Sequence, residues 1–145
     1  MSGIRLSGTR ELMAALERFH AVPEKLRNRV LRRKGVELAA KAKALAPNDP
    51  DPDDKRPDYT KLADSVTVRR KKGRVIVRFA SRHAAAQHER MDYQHETGQA
   101  KFLEQPLRAM RESLIKDLAD EAEAELAKET RRAERRAARA ARDAS

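Results

Sequence analysis

Apolar positions recur at helical spacing in three stretches of the chain and alternate in a fourth. Leu12, Leu16 and Phe19 stand at i, i+4 and i+7 behind Thr9, a residue able to cap a helix, with Glu11 in the first turn. Pro23 suits a first helical position, where its missing N–H is no loss, and predicts a second helix or a kinked continuation to about Leu45. Within it Leu31, Gly35, Leu38, Ala42 and Leu45 step by four and three. That is the seam of a helix packed on another element, with Gly35 and Ala42 permitting close approach. The third stretch starts at Pro106, and Leu107, Met110, Leu114, Leu118, Ala122 and Leu126 form a narrow stripe; past Leu126 it continues in alanine alone. Between these lie Val66-Thr67-Val68-Arg69, a turn at Lys71-Lys72-Gly73, and Arg74 to Phe79. They read as a hairpin with Val66, Val68, Val75, Val77 and Phe79 inward and Thr67, Arg69, Arg74 and Arg78 outward. The pattern predicts an α+β fold: a long N-terminal helical arm, a small antiparallel β-sheet with a central hairpin and one or two further strands between 84 and 104, and a long C-terminal helix. Residues 1–126 are expected to form a single domain, followed by a basic helical tail at 127–145.

Four of the six prolines fall in the 47–59 stretch together with Asp49, Asp51, Asp53, Asp54 and Asp58, so neither helix nor central strand persists there. An exposed acidic loop is predicted. Its carboxylate spacing is like the start of a calcium loop, but the turn glycine and the distal bidentate Glu are missing, which leaves docking on a basic neighbour as its role.

Composition narrows the core. Hydrophobic residues make up 39% and aromatics 3%, so any core is built from Leu, Val and Ala, and part of the stability is expected to come from neighbouring subunits. A net charge of +10 implies attraction to polyanions, whether nucleic acid, an anionic membrane surface or an acidic protein. On the second helix Lys25, Arg27, Arg29, Arg32, Arg33, Lys34, Lys41 and Lys43 face only Glu24 and Glu37. A solvated outer face outweighs nucleic-acid contact there, because aromatics for base stacking are scarce. Positive charge on the outer hairpin face discourages edge-to-edge pairing without requiring a ligand. In the tail, Arg131, Arg132, Arg135, Arg136, Arg139 and Arg142 stand against Glu134 and Asp143, a surplus of four positive charges suited to an acidic partner or to DNA phosphates. No cysteine is present, and no apolar run is long enough to cross a bilayer, so a soluble protein is expected.

The chain is least generic between residues 84 and 106. His88-Glu89 and His95-Glu96 suggest a metal or acid–base centre at first. A zinc-protease pattern needs a second His four residues after the first, and position 92 is Asp. His83, His88 and His95 match no other metal spacing, and no nucleophile or oxyanion donor accompanies them. No catalytic, cofactor-binding or metal-binding residue is therefore expected, and these side chains are read as tying the loop to the sheet.

The run Ala84-Ala85-x-Gln87-His88-Glu89, then His95, then Gly98-Gln99-Ala100-Lys101-Phe102-Leu103-Glu104-x-Pro106-Leu107, resembles the signature of the small neck and tail-completion proteins of tailed bacteriophages, most of all the versions in phages of actinobacteria. In that family a helix ending Ala-x-x-x-Ala-Pro precedes a polar loop, a Leu-x-x-Ser-Val strand start, a hairpin and a Pro-hydrophobic helix start. Here Ala42, Ala46 and Pro47, then Leu62, Ser65 and Val66, the hairpin, and Pro106-Leu107 follow in that order. The likeness covers about residues 10–115. Two departures stand out: Glu89-Arg90-Met91-Asp92 replaces the family's Glu-Phe-Gly-Thr, and the Asp/Pro loop is longer than usual. The resemblance implies a structural virion protein, a subunit of an oligomeric ring at the head-to-tail joint, with no enzymatic activity and no cofactor. Its implied partners are itself, other phage neck proteins such as a head-completion or connector protein and a tail terminator or tail tube, and non-specifically DNA in the channel, with no membrane. It would be assembled in the host cytoplasm and reside in the virion neck. The expected interface residues are Gln87, His88, Glu89, His95, Gly98, Gln99, Lys101 and Phe102, the loop aspartates Asp49, Asp51 and Asp53, and Arg131, Arg132, Arg135 and Arg136 of the tail. The alternative is a small basic nucleic-acid-binding protein using helix 23–45 and the arginine tail.

Overall fold

The computed structural model describes residues 9–47, 62–81, 84–89, 91 and 98–145. The fold is α+β. Helices α1 (Thr9–Ala21) and α2 (Glu24–Leu45) lead through a 3-10 turn (Leu62–Ser65) to strands β1 (Val66–Lys71) and β2 (Arg74–Phe79), then to α3 (Ala84–Glu89) and the 40-residue α4 (Glu104–Asp143). Among the described residues no helix is long and apolar enough to cross a membrane. The predicted acidic loop, with Asp49, Asp51 and Asp53, lies outside the described residues, as does His95.

The chain divides into two compact units, one of Met1–Val30 with Ser113–Ser145 and one of Leu31–Glu112. In the first unit α1 and α2 are separate helices rather than one kinked helix. The carbonyl of Pro23 accepts from the N–H groups of Leu26 and Arg27 at 3.0 and 3.1 Å, so the proline stands at the cap rather than in the first turn. The buried row of α1 is Ala15 and Phe19, followed by Val22, whereas Leu12 is 45% exposed. The expected stripe was rotated: Leu12 falls at the margin of the sector centred on Ala15 and Val22. On α4 Leu118, Ala119 and Ala122 are buried. Arg18 of α1 pairs with Asp120 at 2.5 Å and Glu123 at 2.6 Å, and Arg29 of α2 with Glu125 at 3.1 Å and Glu129 at 3.3 Å. These pairs hold both guanidinium groups above their ordinary pKa, through hydrogen bonds to the carboxylates.

In the second unit the hairpin is a two-stranded antiparallel sheet, with Val66 opposite Phe79 and Val68 opposite Val77. Its turn, Lys72-Gly73, has positive φ at both residues (46° and 74°), the combination that matches the strand twist in a two-residue hairpin. The predicted inward face is half-buried, and Arg74 and Arg78 alternate outward from it. α2 crosses this sheet at Gly35, where a Cβ would stand 2.4 Å from Val75 Cγ1 and 3.2 Å from Val68 Cγ1. The further strands expected between 84 and 104 are not found among the described residues: 84–89 is helical and 100–103 is turn. Three consecutive alanines with Gln and Glu favour helix over strand. The α4 stripe holds in its middle, but Leu107 and Leu126 at its ends are exposed.

Candidate functional site

Three elements of the second unit meet where α3 ends and α4 begins. The backbone carbonyl of His88 accepts from the N–H of Lys101 at 2.9 Å, which ties the end of α3 to the turn before α4. Lys101 adopts φ 56°, a left-handed conformation that reverses the chain into that turn. Phe102 follows with 1% exposure, and its ring lies edge-on to Phe79 (centroids 4.8 Å apart) and to His88 (5.0 Å).

The His88 ring is engaged at both nitrogens. Its Nε2 lies 3.3 Å from the backbone N–H of Glu104, the first residue of α4, and its Nδ1 lies 2.7 Å from Glu89 Oε1. A backbone N–H can only donate, so Nε2 is the acceptor and Nδ1 carries the proton that Glu89 accepts. His88 thus satisfies one of the orphan donors at the start of α4. The other oxygen of Glu89 pairs with Lys101 at 2.5 Å; Lys101 also meets Glu104 at 3.3 Å, and Glu104 meets Arg108 at 2.6 Å. Hydrogen bonds from Lys101 and then from His88 hold the Glu89 carboxyl below its usual range, and Glu89 raises the Lys101 ammonium in return.

The same turn is fixed to the end of α2. Gln99 N–H donates to the Leu45 carbonyl at 3.0 Å, closing an orphan acceptor of that helix, and the Gln99 side-chain amide donates to Gln105 Oε1. Gly98, at φ 74°, is packed so closely that a Cβ would meet Pro47 N at 2.5 Å and the Leu45 carbonyl oxygen at 2.7 Å.

The chain matches no family model, no curated protein and no solved structure. What the junction can do is therefore argued from its own geometry. With Nε2 occupied by a backbone donor and Nδ1 protonated, His88 presents no open lone pair, and both oxygens of Glu89 are engaged. Among the described residues no three His, Asp or Glu side chains are grouped as metal ligands. The arrangement is a bracket of hydrogen bonds and ion pairs that sets where α4 begins.

The sequence-predicted site residues divide accordingly. His88, Glu89, Gly98, Gln99, Lys101 and Phe102 are brought together at the junction. Phe102, expected on an interface, is instead a core residue, because its ring fills the space between Phe79 and His88. Arg131, Arg132, Arg135 and Arg136 are exposed on α4. Sequence reasoning missed Glu104 and Arg108, which extend the ion-pair chain. The spacing of four between them on a helix was the available signal.

Proposed function

We propose that the chain is a structural subunit of the neck of a tailed bacteriophage, part of an oligomeric ring that links the head connector to the tail and encloses the DNA exit channel. One observation supports this above the others. Ala46 at the end of α2, Leu62 and Ala63 before the hairpin, Ala84 of α3 and Phe102 before α4 come from separate segments of the neck-protein signature, and they pack into one hydrophobic cluster. Short motifs that agree by chance have no reason to meet in space; motifs of one structural unit do. The core is thin, as suits a subunit completed by its neighbours. In this reading Gln87, His88, Glu89, His95 and the Gly98 to Lys101 turn face an adjacent protomer, and the acidic 47–59 stretch complements the basic hairpin of the next. The virion is its place of action.

The competing nucleic-acid reading loses much of its first component. On α2, Arg29, Lys34, Lys41 and Lys43 are held in ion pairs with carboxylates of the same chain. Light scattering of the purified chain is expected to give a multiple of its 16.5 kDa mass, and phage grown without it should accumulate filled heads and free tails. Heads that join tails normally in its absence would overturn the proposal.

A further inference from the structure

The last three turns of α4 sort their residues by charge. At about 100° per residue, Arg131, Arg132, Arg135, Arg136, Arg139 and Arg142 fall within a sector of roughly 140°, over a rise of about 16 Å. Asp143, at the end of the helix, is the one acid in that sector, and Glu134 lies outside it. Opposite run Ala133, Ala137, Ala140, Ala141 and Ala144, and every residue from Thr130 onward is exposed. Before this face Lys116 is matched by Asp120 and Lys128 by Glu125, and on the face itself Arg132 is matched by Glu129. Arg135, Arg136, Arg139 and Arg142 have no carboxylate partner among the described residues. Like charges three and four residues apart repel and weaken a helix, a penalty that an anion along this face would relieve.

We infer that this arginine face is a binding site for the phosphate backbone of duplex DNA. The inference rests on residues 127–145 alone and stands whether or not the chain forms a ring. Two features choose the partner. A protein interface needs apolar or aromatic anchors at its centre, and residues 127–145 contain no Leu, Ile, Val, Met, Phe, Tyr or Trp. Nucleic-acid interfaces are more polar and strongly positive and need none. The same lack of aromatics removes the stacking on which single-strand binding depends. A helix about 10–12 Å across fits a major groove about 12 Å wide, whereas the major groove of A-form RNA is too narrow.

The test is fluorescence anisotropy of the full chain with a labelled 30-bp random duplex between 50 and 200 mM NaCl. Five or six neutralised phosphates predict a slope of log K against log [NaCl] of about −4.5 to −5.4. The variant R135Q/R136Q/R139Q/R142Q, which keeps good helix formers, should flatten that slope by about 3 to 4 and weaken binding at least about 10-fold at 100 mM. R69Q/R70Q/K71Q/R74Q removes the same charge from the hairpin and should leave the slope within about 1 of the parent. Equal losses in the two variants would overturn the proposal in favour of bulk charge. So would stronger binding to single strands, or competition by polyglutamate as effective as that by unlabelled duplex, the latter favouring an acidic protein partner.

Discussion

Two glycines with one backbone conformation have different reasons for being glycine. Gly73 and Gly98 both have φ 74°. At Gly73 an added Cβ would find nothing within 4 Å, whereas at Gly98 it would meet Pro47 N at 2.5 Å and Ala46 C at 2.7 Å. Those are backbone atoms at the end of α2 and cannot rotate aside. Gly73→Ala should therefore cost only the left-handed conformation, about 1 kcal/mol, while Gly98→Ala adds overpacking for a total of about 2–4 kcal/mol. Urea unfolding midpoints compare them directly; equal losses would mean that the 98 turn gives way from α2 without penalty. His88 carries the second lesson at this scale. Its role depends on an N–H sixteen positions later, at Glu104, and no local spacing announces such a partner.

Between elements, α2 comes close to the hairpin at Gly35, where an added Cβ would stand 2.4 Å from Val75 Cγ1. Alanine there would recover about 1 kcal/mol of helix propensity but drive its methyl into Val75, a β-branched side chain with little freedom to turn away. The variant pair Gly35→Ala and Val75→Ala should thus be coupled, the double variant being more stable than the sum of the singles by about 1 kcal/mol or more. Additive losses in urea unfolding would show that the helix lifts off the sheet freely. That Gly35 permits a close approach is legible in the sequence, though not which element it meets; the helical stripes and the hairpin with its inward face are legible too, because each rests on local periodicity. What periodicity could not fix was phase and context. Leu12 and Leu107 match a stripe yet stand exposed, since burial depends on where neighbouring elements end. Ala84 to Glu89 has too few residues to show a period, so helix there went unread. In the junction the residue identities are legible and their roles are not: Phe102, expected at an interface, lies in the core, and the Glu104–Arg108 pair shows only as a spacing of four on a helix.

For the molecule as a whole, electrostatics sets how stability varies with pH. Glu37 is lowered by Lys41 and Lys34, Glu89 by Lys101 and His88, Asp120 by Arg18 and Lys116, and Glu123 by Arg18. A carboxyl whose folded pKa lies below its unfolded value contributes stability that is complete above the unfolded value, about 3.9 for Asp and 4.3 for Glu. That contribution is lost as pH falls through the folded value. Lys101 is shifted upward, so its contribution is complete below about 10.4 and is lost above it. Acidification also strips negative charge from a chain that already carries +10, adding repulsion among its 33 Lys and Arg. Stability should therefore change little from pH 7 to about 5 and drop steeply below about 4, and NaCl at pH 3 should raise the urea midpoint by screening that repulsion. The double variant Asp120→Asn, Glu123→Gln isolates the ion-pair part. It should unfold at lower urea than the parent at pH 7, and the difference should shrink as pH falls below about 4, as the parent's two carboxyls begin to take up protons. A difference that stays constant from pH 7 to pH 3 would mean that Arg18 holds these side chains by shape rather than by charge.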